Sequence, residues 1–222
     1  MSYIHIPTTG PSDWKRFLAA PERQWKSGYS AKELAQRWET ANGFPDEINS
    51  ILKAEQLFTH VEPLFAIPEF QVPLPGGSRP SQNDLFVLAR TDNGLVVIMV
   101  EGKASESFGP TLGEWRQQSS NGRQTRLAYL QQTLGLNRDL PDSLRYQLLH
   151  RTASPIIIAR RYHAVAAVML VHSFSKTNEW FSDYATFLNL YGIKTDIGEL
   201  HEIMVGSPLR VFCGWAKGIP AI

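Results

Sequence analysis

Two neighbouring apolar runs constrain the fold of this chain more than any other feature. The segments 85–89 and 95–100 contain only Leu, Phe, Val, Ile, Met and Ala, and five residues separate them. The dipeptide Asn93-Gly94 in this gap favours a tight hairpin, because the central positions of such a turn need a positive φ that these residues tolerate. Since both faces of each strand are apolar, we expect the hairpin to lie in the middle of a sheet covered on both sides.

Helical and extended patterns surround this hairpin. Apolar residues at three-to-four spacing predict two short helices within 14–38 and a third from Pro45 to about Leu57. An edge strand is expected over 61–73, because its prolines cannot donate to a ladder. The remaining patterns predict helices within 111–134, over 144–150, from Ser154-Pro155 to 162 and over 180–190, and strands over 164–174 and 209–215. Capping boxes are expected at Ser30 with Glu33 and at Thr111 with Glu114.

The bulk properties favour one domain in a reducing compartment. A chain of 222 residues with 43% apolar content supports one substantial core. The single cysteine, Cys213, excludes an internal disulfide framework, and the N-terminus lacks a secretory pattern, so we expect a cytoplasmic protein without a membrane span. The net charge of +1 excludes a protein that coats DNA by bulk charge. Nucleic-acid binding would therefore need a local basic patch.

Polar side chains flank the ends of the two apolar strands. Asp84 directly precedes the first strand, and Glu101, Gly102 and Lys103 directly follow the second. A two-residue loop at Asn93-Gly94 places Asp84 opposite Lys103. Glu101 then shares their face, because cross-strand partners lie on one face and alternate residues along a strand do too. We therefore expect Asp84, Glu101 and Lys103 to project together at one end of the hairpin.

The hairpin register decides whether these groups meet. A three-residue loop would shift the pairing by one residue and put Asp84 opposite Gly102, on the face away from Glu101 and Lys103. That register would contradict a shared site. A second alternative is purely structural: Asp84 and Lys103 form a cross-strand ion pair, and Glu101 is a solvated strand end.

The residue types themselves indicate a chemistry. Two carboxylates a few ångström apart bind Mg²⁺ or Mn²⁺ through oxygen and leave positions for water and a phosphate oxygen. The metal lowers the pKa of bound water, while a neighbouring lysine orients or helps deprotonate that water and stabilises the developing charge. Asp84, Glu101 and Lys103 therefore predict metal-dependent phosphodiester hydrolysis with Mg²⁺ or Mn²⁺ as cofactor.

The pattern Asn83-Asp84 followed by Glu101-Gly102-Lys103 resembles the PD-(D/E)XK superfamily of restriction-endonuclease-like proteins. The family core is αβββαβ, with the acidic residue on the second strand and Glu-x-Lys on the third, and Asn83 replaces the family's proline. The resemblance covers about residues 45–175. It implies an α/β fold with a mixed central sheet, a helical extension over 1–44 and a C-terminal helix-strand addition over 176–222, all in one domain.

The same resemblance implies further site residues. The backbone carbonyl of Gly102 is expected to ligate the metal, and a glutamate of the first helix, Glu47 or Glu55, to complete the site, with nothing in the sequence to choose between them. The family's glutamine on the helix after the Glu-x-Lys strand corresponds to Gln117 or Gln118. Residues expected to line a nucleic-acid cleft, with a solvated surface as the competing interpretation for the arginines, are Arg79, Arg116, Gln118 and Arg123.

The function that the resemblance implies is cleavage of nucleic acid by an endonuclease or exonuclease. DNA is the expected substrate, RNA is the alternative, and a homodimer is compatible with either. The competing hypothesis is a non-catalytic interaction module that keeps the fold within a DNA-processing or defence assembly. Near-neutral charge mildly supports that module, because a free-standing nuclease often carries a basic excess.

Overall fold

The computed structural model describes residues 8–118 and 120–220, which form an α/β fold around a six-stranded mixed sheet. The strand order is β1-β2-β3-β4-β6-β5. Strands β1 to β3 form an antiparallel meander, β3, β4 and β6 run parallel, and β5 pairs antiparallel with β6. The strands are β1 (Glu62–Val72), β2 (Ser81–Thr91), β3 (Gly94–Lys103), β4 (Ala166–Ser173), β5 (Leu200–Ile203) and β6 (Arg210–Lys217).

Helices precede, interrupt and follow the strands. They are α1 (Pro21–Gln24), α2 (Ser30–Thr40), α3 (Asp46–Lys53), α4 (Leu112–Gln117), α5 (Asn121–Leu134), α6 (Tyr146–Tyr162) and α7 (Phe181–Asn189). Two 3₁₀ helices span Pro11–Phe17 and Gln56–Phe58. None of the helices in the described part of the chain is long and apolar enough to cross a lipid bilayer.

Helices cover both faces of the central hairpin, as its apolar runs predict. Phe86 and Met99 face one side, where they join the core cluster that includes Ile156 of α6. Leu85 and Ile98 face the other side and join the cluster formed with α2 and α3. The odd and even positions of each strand are therefore buried in different cores, which explains why neither strand alternates with polar residues.

The hairpin turn differs from the predicted one. Thr91 pairs with Gly94, so the two loop residues are Asp92 and Asn93, and the ladder reaches Leu85 opposite Val100. Gly94 has a φ of +138°, which a glycine accommodates without strain, and it pairs inside the ladder rather than forming the turn. The observed register is displaced by two residues from the predicted one. A shift of two keeps every side chain on its predicted face.

Helix α6 is continuous, which corrects the prediction of two helices divided at Ser154-Pro155. Pro155 lies inside the helix and removes the N–H that would bond the carbonyl of Arg151. Ser154 adapts locally: its hydroxyl donates to the carbonyl of His150 at 2.8 Å. Burial of nearly every residue from 148 to 159 outweighs the missing hydrogen bond. The short edge strand β5 is an element that sequence patterns did not predict.

The two predicted capping boxes have different outcomes. Thr111 and Glu114 form the expected reciprocal pair at the start of α4. Ser30 makes no such box, because it is the first helical residue of α2 rather than its cap. Its backbone N–H and its hydroxyl instead donate to Oε1 of Glu106, at 2.9 and 3.0 Å, from the loop that follows β3. The start of α2 is therefore held by a residue distant in sequence.

Candidate active site

A cavity of about 670 Å³ opens where β3 ends and β2 begins. Its floor carries Asp84, Glu101 and Lys103, the three residues that the sequence places together. Helix α6 forms one wall through Gln147 and Arg151. The opposite wall is the segment from residue 18 to residue 31, with α1 and the start of α2.

Three carboxylates form a row across neighbouring strands at this end of the sheet. Pro68 pairs with Leu85 and Phe70 with Asn83, so Glu69 falls opposite Asp84. One step beyond the pair of Leu85 and Val100, Asp84 comes opposite Glu101. Cross-strand neighbours lie about 5 Å apart at Cβ. Asp84 therefore lies between two other acidic residues, and Lys103, two residues after Glu101, shares the face.

Glu101 is buried in a closed network of donors. Its side chain is 4% exposed, and Oε1 accepts from Lys103 Nζ at 2.7 Å and from Gln147 Nε2 at 2.7 Å. Its Oε2 accepts from Arg151 Nε at 2.5 Å. The Lys103 ammonium also lies 4.7 Å from the ring centre of Phe108. Both oxygens of Glu101 are thus oriented by cations that the fold itself supplies.

Asp84 has a different environment, although it is the neighbour of Glu101. Its Oδ2 accepts from the backbone N–H of Gly102 at 2.8 Å. Its nearest cationic atom is Arg151 Nη2, 4.0 Å from Oδ1. The side chain is 22% exposed and lines the cavity. The structural alternative of an Asp84–Lys103 pair with a solvated Glu101 is therefore wrong: Lys103 pairs with the buried Glu101, and Asp84 faces the cavity.

Glu69 joins the site from β1 with an unusual backbone. Its φ is +53°, a left-handed value that costs a non-glycine residue free energy. Its Oε2 accepts from Gln82 Nε2 at 2.5 Å, and both side chains line the cavity. The sequence patterns did not indicate Glu69, because the proline-rich strand around it had no predictable register.

The titration behaviour follows from this crowding. Burial, and then the negative charge of Glu101, raise the pKa of Asp84 to about 7. Burial, and then the charge of Asp84, raise the pKa of Glu69 to about 8. Burial also opposes ionisation of Glu101, but the charges of Arg151 and Lys103 outweigh it and lower its pKa. Three carboxylates share two cations, so the row retains protons near neutral pH.

The donor chemistry of the cavity fits one hard divalent cation. Asp84 lines the cavity, and a divalent charge would replace the protons that the row retains. Across residues 8–118 and 120–220, no three carboxylate, histidine or cysteine side chains are gathered into a ready-made metal-binding group. Mg²⁺ does not require one, since one or two carboxylates usually hold it together with water and phosphate oxygens. Asp84 and Glu101 would be those carboxylates, and one donor of Glu101 would have to yield.

The two predicted helix glutamates are not part of this cavity. Glu47 forms an ion pair with Arg37, at 2.5 Å, and accepts a hydrogen bond from Nε2 of His172, at 2.8 Å. His172 pairs with Gly102, whose face is opposite to that of Glu101. Although burial opposes ionisation, the hydrogen bonds from His172 and Arg37 lower the pKa of Glu47. The prediction of Glu47 as a ligand is wrong, because the sheet separates it from Asp84.

Glu55 lies at the other end of the sheet. Its Oε1 contacts Arg210 Nη2 at 3.3 Å, and Arg210 pairs with Ala166 at the start of β4. The strands β3 and β4 run parallel from that end toward the cavity, so their full length separates Glu55 from Glu101. The prediction of Glu55 is therefore also wrong. The third carboxylate of the row is Glu69 of β1.

The glutamine that bonds Glu101 is Gln147, not Gln117 or Gln118. Gln117 ends α4 in an exposed position, and Gln118 accepts from Arg123 Nη2 at 2.6 Å outside the cavity of Glu101. Gln147 reaches Glu101 because it lies in the first turn of α6. Helix α4 is too short to bring its last residue across the sheet.

The predicted nucleic-acid-binding residues divide into two groups. Arg79, Gln118 and Arg123 line a second cavity on the neighbouring side of α6. Arg116 does not line either of these cavities: its Nη1 donates to Asp142 Oδ1 at 2.6 Å and to the carbonyl of Leu140 at 3.2 Å. Arg116 therefore anchors the loop before α6.

Comparison with known proteins places the chain in a family. Searches among curated proteins and among solved structures gave no match. One family model, described as "Domain of unknown function (DUF6946)", matches residues 7–220. Because this match spans nearly the whole chain, the protein is a member of the DUF6946 domain family.

Proposed function

We propose that this protein is a Mg²⁺- or Mn²⁺-dependent nuclease that hydrolyses phosphodiester bonds in the cavity of Asp84, Glu101 and Lys103. The order of elements supports this proposal. Helix α3, the meander β1 to β3, helix α6 and the parallel strand β4 follow the αβββαβ order of the PD-(D/E)XK fold. The aspartate lies just before the apolar part of the second strand, and Glu-x-Lys ends the third.

One observation carries the proposal: the site keeps a carboxylate that its own cations do not neutralise. Structural ion-pair networks satisfy their charges, as Glu47 does through its ion pair with Arg37 and its hydrogen bond from His172. Asp84 has only a long contact of this kind, 4.0 Å from its Oδ1 to Arg151 Nη2, and Arg151 already bonds Glu101. A raised pKa in a water-accessible cavity, caused by burial and a like charge, is typical of functional sites.

The residues of the chain have distinct proposed roles. A divalent ion bound by Asp84 and Glu101 would lower the pKa of a water molecule and neutralise phosphate charge. Lys103, released from Glu101, holds the attacking water and stabilises the charge that develops on the phosphate. Gln147 keeps the carboxylate of Glu101 oriented through its 2.7 Å hydrogen bond. Arg151 offers its remaining N–H groups to a non-bridging phosphate oxygen.

The opposite wall of the cavity fits a polyanionic substrate. Arg23 and Lys26 line it, both are exposed, and neither is paired with a described carboxylate. Two free cations at the mouth attract phosphates without requiring a basic protein overall, which fits the net charge of +1. DNA is the proposed substrate class, and RNA is tested beside it.

The test is cleavage of supercoiled plasmid, duplex, single-stranded DNA and RNA in Mg²⁺ or Mn²⁺. Wild type is compared with Asp84→Asn, Glu101→Gln and Lys103→Met, each expected to lose at least about 100-fold in rate. The matched control is Asp92→Asn, which changes a carboxylate in the turn at the far end of the same hairpin. The control should keep full activity. Equal cleavage by all five proteins, or undiminished cleavage in EDTA, would refute the assigned site.

A second candidate function, the non-catalytic interaction module, is favoured by one observation. Both oxygens of Glu101 are already bonded to donors of the chain itself, so its network is complete without a metal. Calorimetric titration with Mn²⁺ separates the two functions. Binding that Asp84→Asn and Glu101→Gln abolish supports the nuclease. No heat of binding, together with no cleavage of any substrate, supports the module.

A further inference from the structure

The second cavity, of about 680 Å³, lies beside the first and has a different charge. Arg79, Arg123 and Arg126 line it, and no aspartate or glutamate of the described part of the chain does. None of these three arginines forms an ion pair with a carboxylate in the described residues, whereas Arg116 and Arg145 nearby are paired. The cavity therefore concentrates positive charge within a protein whose overall charge is +1.

Two of the arginines are held in place without being neutralised. Arg126 donates through Nε to the carbonyl of Pro75 at 2.9 Å and through Nη2 to that of Gly77 at 3.1 Å. Arg123 donates to the carbonyl of Trp115, and its guanidinium lies 5.0 Å from the ring centre of the same residue. Carbonyls and an aromatic ring fix orientation but remove no net charge. Both groups are therefore preorganised to bind an anion.

A close glycine contact fixes the loop that closes the cavity. A Cβ on Gly76 would lie 2.0 Å from the carbonyl oxygen of Gly122 in α5, and Gly76 has a φ of +78°. Only glycine permits this approach. The contact holds the loop 76–79 against α5 and positions Arg79, which is exposed and has no partner in the described residues. The third cation thus remains free to bind a ligand.

The first turns of α6 connect the two cavities. Tyr146 and His150, four residues apart, line the arginine cavity, while Gln147 and Arg151 line the carboxylate cavity. Residues four apart share a helix face, so the two cavities lie on adjacent faces of one helix. Burial, and then the positive charge of Arg151, lower the pKa of His150 well below its usual value. His150 is therefore a neutral hydrogen-bonding group there.

We propose that the arginine cavity binds a backbone phosphate of the same nucleic-acid strand that enters the carboxylate cavity, a few nucleotides from the scissile bond. This inference rests on the proposed nuclease function and adds to it a single-stranded substrate path across the start of α6. A helix with side chains is about 10–12 Å wide, so at the rise of about 3.4 Å per nucleotide of a stacked strand the path spans at most roughly three nucleotides. A strand bound at both cavities must be longer than a dinucleotide.

Fluorescence anisotropy with labelled single-stranded DNA of two, four, eight and twelve nucleotides, in EDTA, measures binding without cleavage. The variants are Arg79→Ala, which removes a side chain with no hydrogen bond or ion pair in the described residues, and the double variant Arg79→Ala/Arg123→Ala. The control is Arg160→Ala/Arg161→Ala, which removes two exposed charges from the other end of α6. Circular dichroism establishes that each variant is folded.

We expect the double variant to bind the eight- and twelve-nucleotide strands roughly tenfold more weakly at low salt, with a salt slope reduced by about 0.7 per lost contact. Arg79→Ala should show a smaller loss in the same direction. Binding of the dinucleotide should not change, and the control should bind all lengths like wild type. If the double variant lost affinity equally for the dinucleotide and for the long strands, the proposal of one strand bound across both cavities would be wrong.

Two further outcomes separate this inference from the proposed function. If wild type cleaves in Mn²⁺ but the arginine variants bind and cleave like wild type, the inference fails and the nuclease proposal stands. If wild type cleaves nothing while the variants lose binding of the long strands only, the strand-binding cavity stands and the nuclease proposal fails. A free nucleoside monophosphate that competes at the same concentration as the twelve-nucleotide strand would overturn strand binding in favour of a nucleotide pocket.

Discussion

Arg151 contacts Glu101 and Asp84 unequally. Its Nε donates to Glu101 at 2.5 Å, while its Nη2 stands 4.0 Å from Asp84 Oδ1. A divalent ion bound by both carboxylates would lie close to this guanidinium, and the two positive charges would repel each other. Arg151 is therefore both the competitor of the metal and the proposed ligand of the phosphate, and the two roles can be separated by substitution.

Replacing Arg151 by methionine should move metal affinity and activity in opposite directions. Loss of the cation leaves two buried carboxylates with Lys103 alone, so Mn²⁺ should bind roughly tenfold more tightly or better. Cleavage should fall at least about 100-fold, because the phosphate loses its guanidinium. Calorimetry and a cleavage assay measure the two effects. Arg116→Met, which breaks only an exposed pair with Asp142, is the control. Weaker Mn²⁺ binding by Arg151→Met would show that Arg151 does not compete with the metal.

Asp84→Asn should stabilise the metal-free protein at alkaline pH. The folded pKa of Asp84, about 7, lies above its ordinary value near 4, so the carboxyl contributes stability that is complete below pH 4 and lost as pH rises to 7. Asparagine loses nothing over this range and still accepts from Gly102. At pH 8 in EDTA the free energy of unfolding of the variant should exceed that of wild type by on the order of 1–2 kcal/mol. Its Tm should rise by about 2–4 °C for each kcal/mol.

The gain should nearly disappear at pH 4, where Asp84 is protonated in the folded protein and about half protonated in the unfolded protein. A difference in Tm between variant and wild type that is equal at pH 4 and pH 8 would contradict a raised pKa. Thermal melts of both proteins across this range in EDTA measure the difference, and Glu69 contributes to it with the same sign because the charge of Asp84 raises the pKa of Glu69.

Metal affinity should increase with pH through the neutral range. Because the row retains protons on Asp84 and Glu69 near pH 7, Mn²⁺ must displace them, and affinity should rise up to about tenfold per pH unit for each proton released. The rise should level off above about pH 8.5. Titrations in two buffers of different ionisation enthalpy count the protons. Affinity that does not change between pH 6 and pH 8 would contradict this account.

Gly76→Ala should destabilise the loop of the arginine cavity. The new methyl group meets the Gly122 carbonyl at 2.0 Å, and the residue must also keep a positive φ. Gly109→Ala is the matched control, because Gly109 has a φ of +68° but nothing lies within 4 Å of its added Cβ. We expect Gly76→Ala to lower the free energy of unfolding, measured in urea, by about 1–3 kcal/mol more than Gly109→Ala does. An equal loss of unfolding free energy in the two variants would show that the close contact of Gly76 with Gly122 contributes nothing beyond the cost of the positive φ.

Glu106→Ala should loosen the wall of the carboxylate cavity. Glu106 accepts from Ser30 at the start of α2 and, through Oε2, from the backbone N–H of Ala104 at 3.0 Å. Loss of a helix cap costs about 1 kcal/mol, and hydrogen exchange at the amides of Ser30 and Ala104 should accelerate. Glu22→Ala breaks only an exposed pair with Lys15 and should change neither the stability nor the exchange of these two amides. Unchanged exchange in Glu106→Ala would exclude the tertiary cap.

The predicted common face of Asp84, Glu101 and Lys103 is confirmed because the observed register has the same parity as the predicted one, not because the two registers are identical. The turn forms at Asp92 and Asn93 instead of Asn93 and Gly94, which displaces the pairing by two residues. Side chains alternate with a period of two, so a displacement by two leaves Asp84 on the face of Glu101 and Lys103. A turn different by one residue would have separated them. The shared face was therefore predictable, and the partner opposite Asp84 was not.

Residues that reached the cavity from distant segments were not predictable. Arg151 and Gln147 bond Glu101 across 50 and 46 positions, and they do so because α6 docks its first turns on the end of β3. The only local signal was their spacing of four, which places them on one helix face but does not indicate which strand that face meets. Glu47 failed as a prediction for the same reason, since helix α3 docks on the other face of the sheet.

By itself, the sequence determined the covered central hairpin, the common face of Asp84, Glu101 and Lys103, and the capping box at Thr111, because each depends on local periodicity or on residues a few positions apart. Only the tertiary structure decided which cations surround Glu101, that Glu69 extends the carboxylate row, and that three arginines converge on a second cavity. These relationships depend on how helices dock against the sheet, and docking is set by packing across the whole core rather than by the order of neighbouring residues.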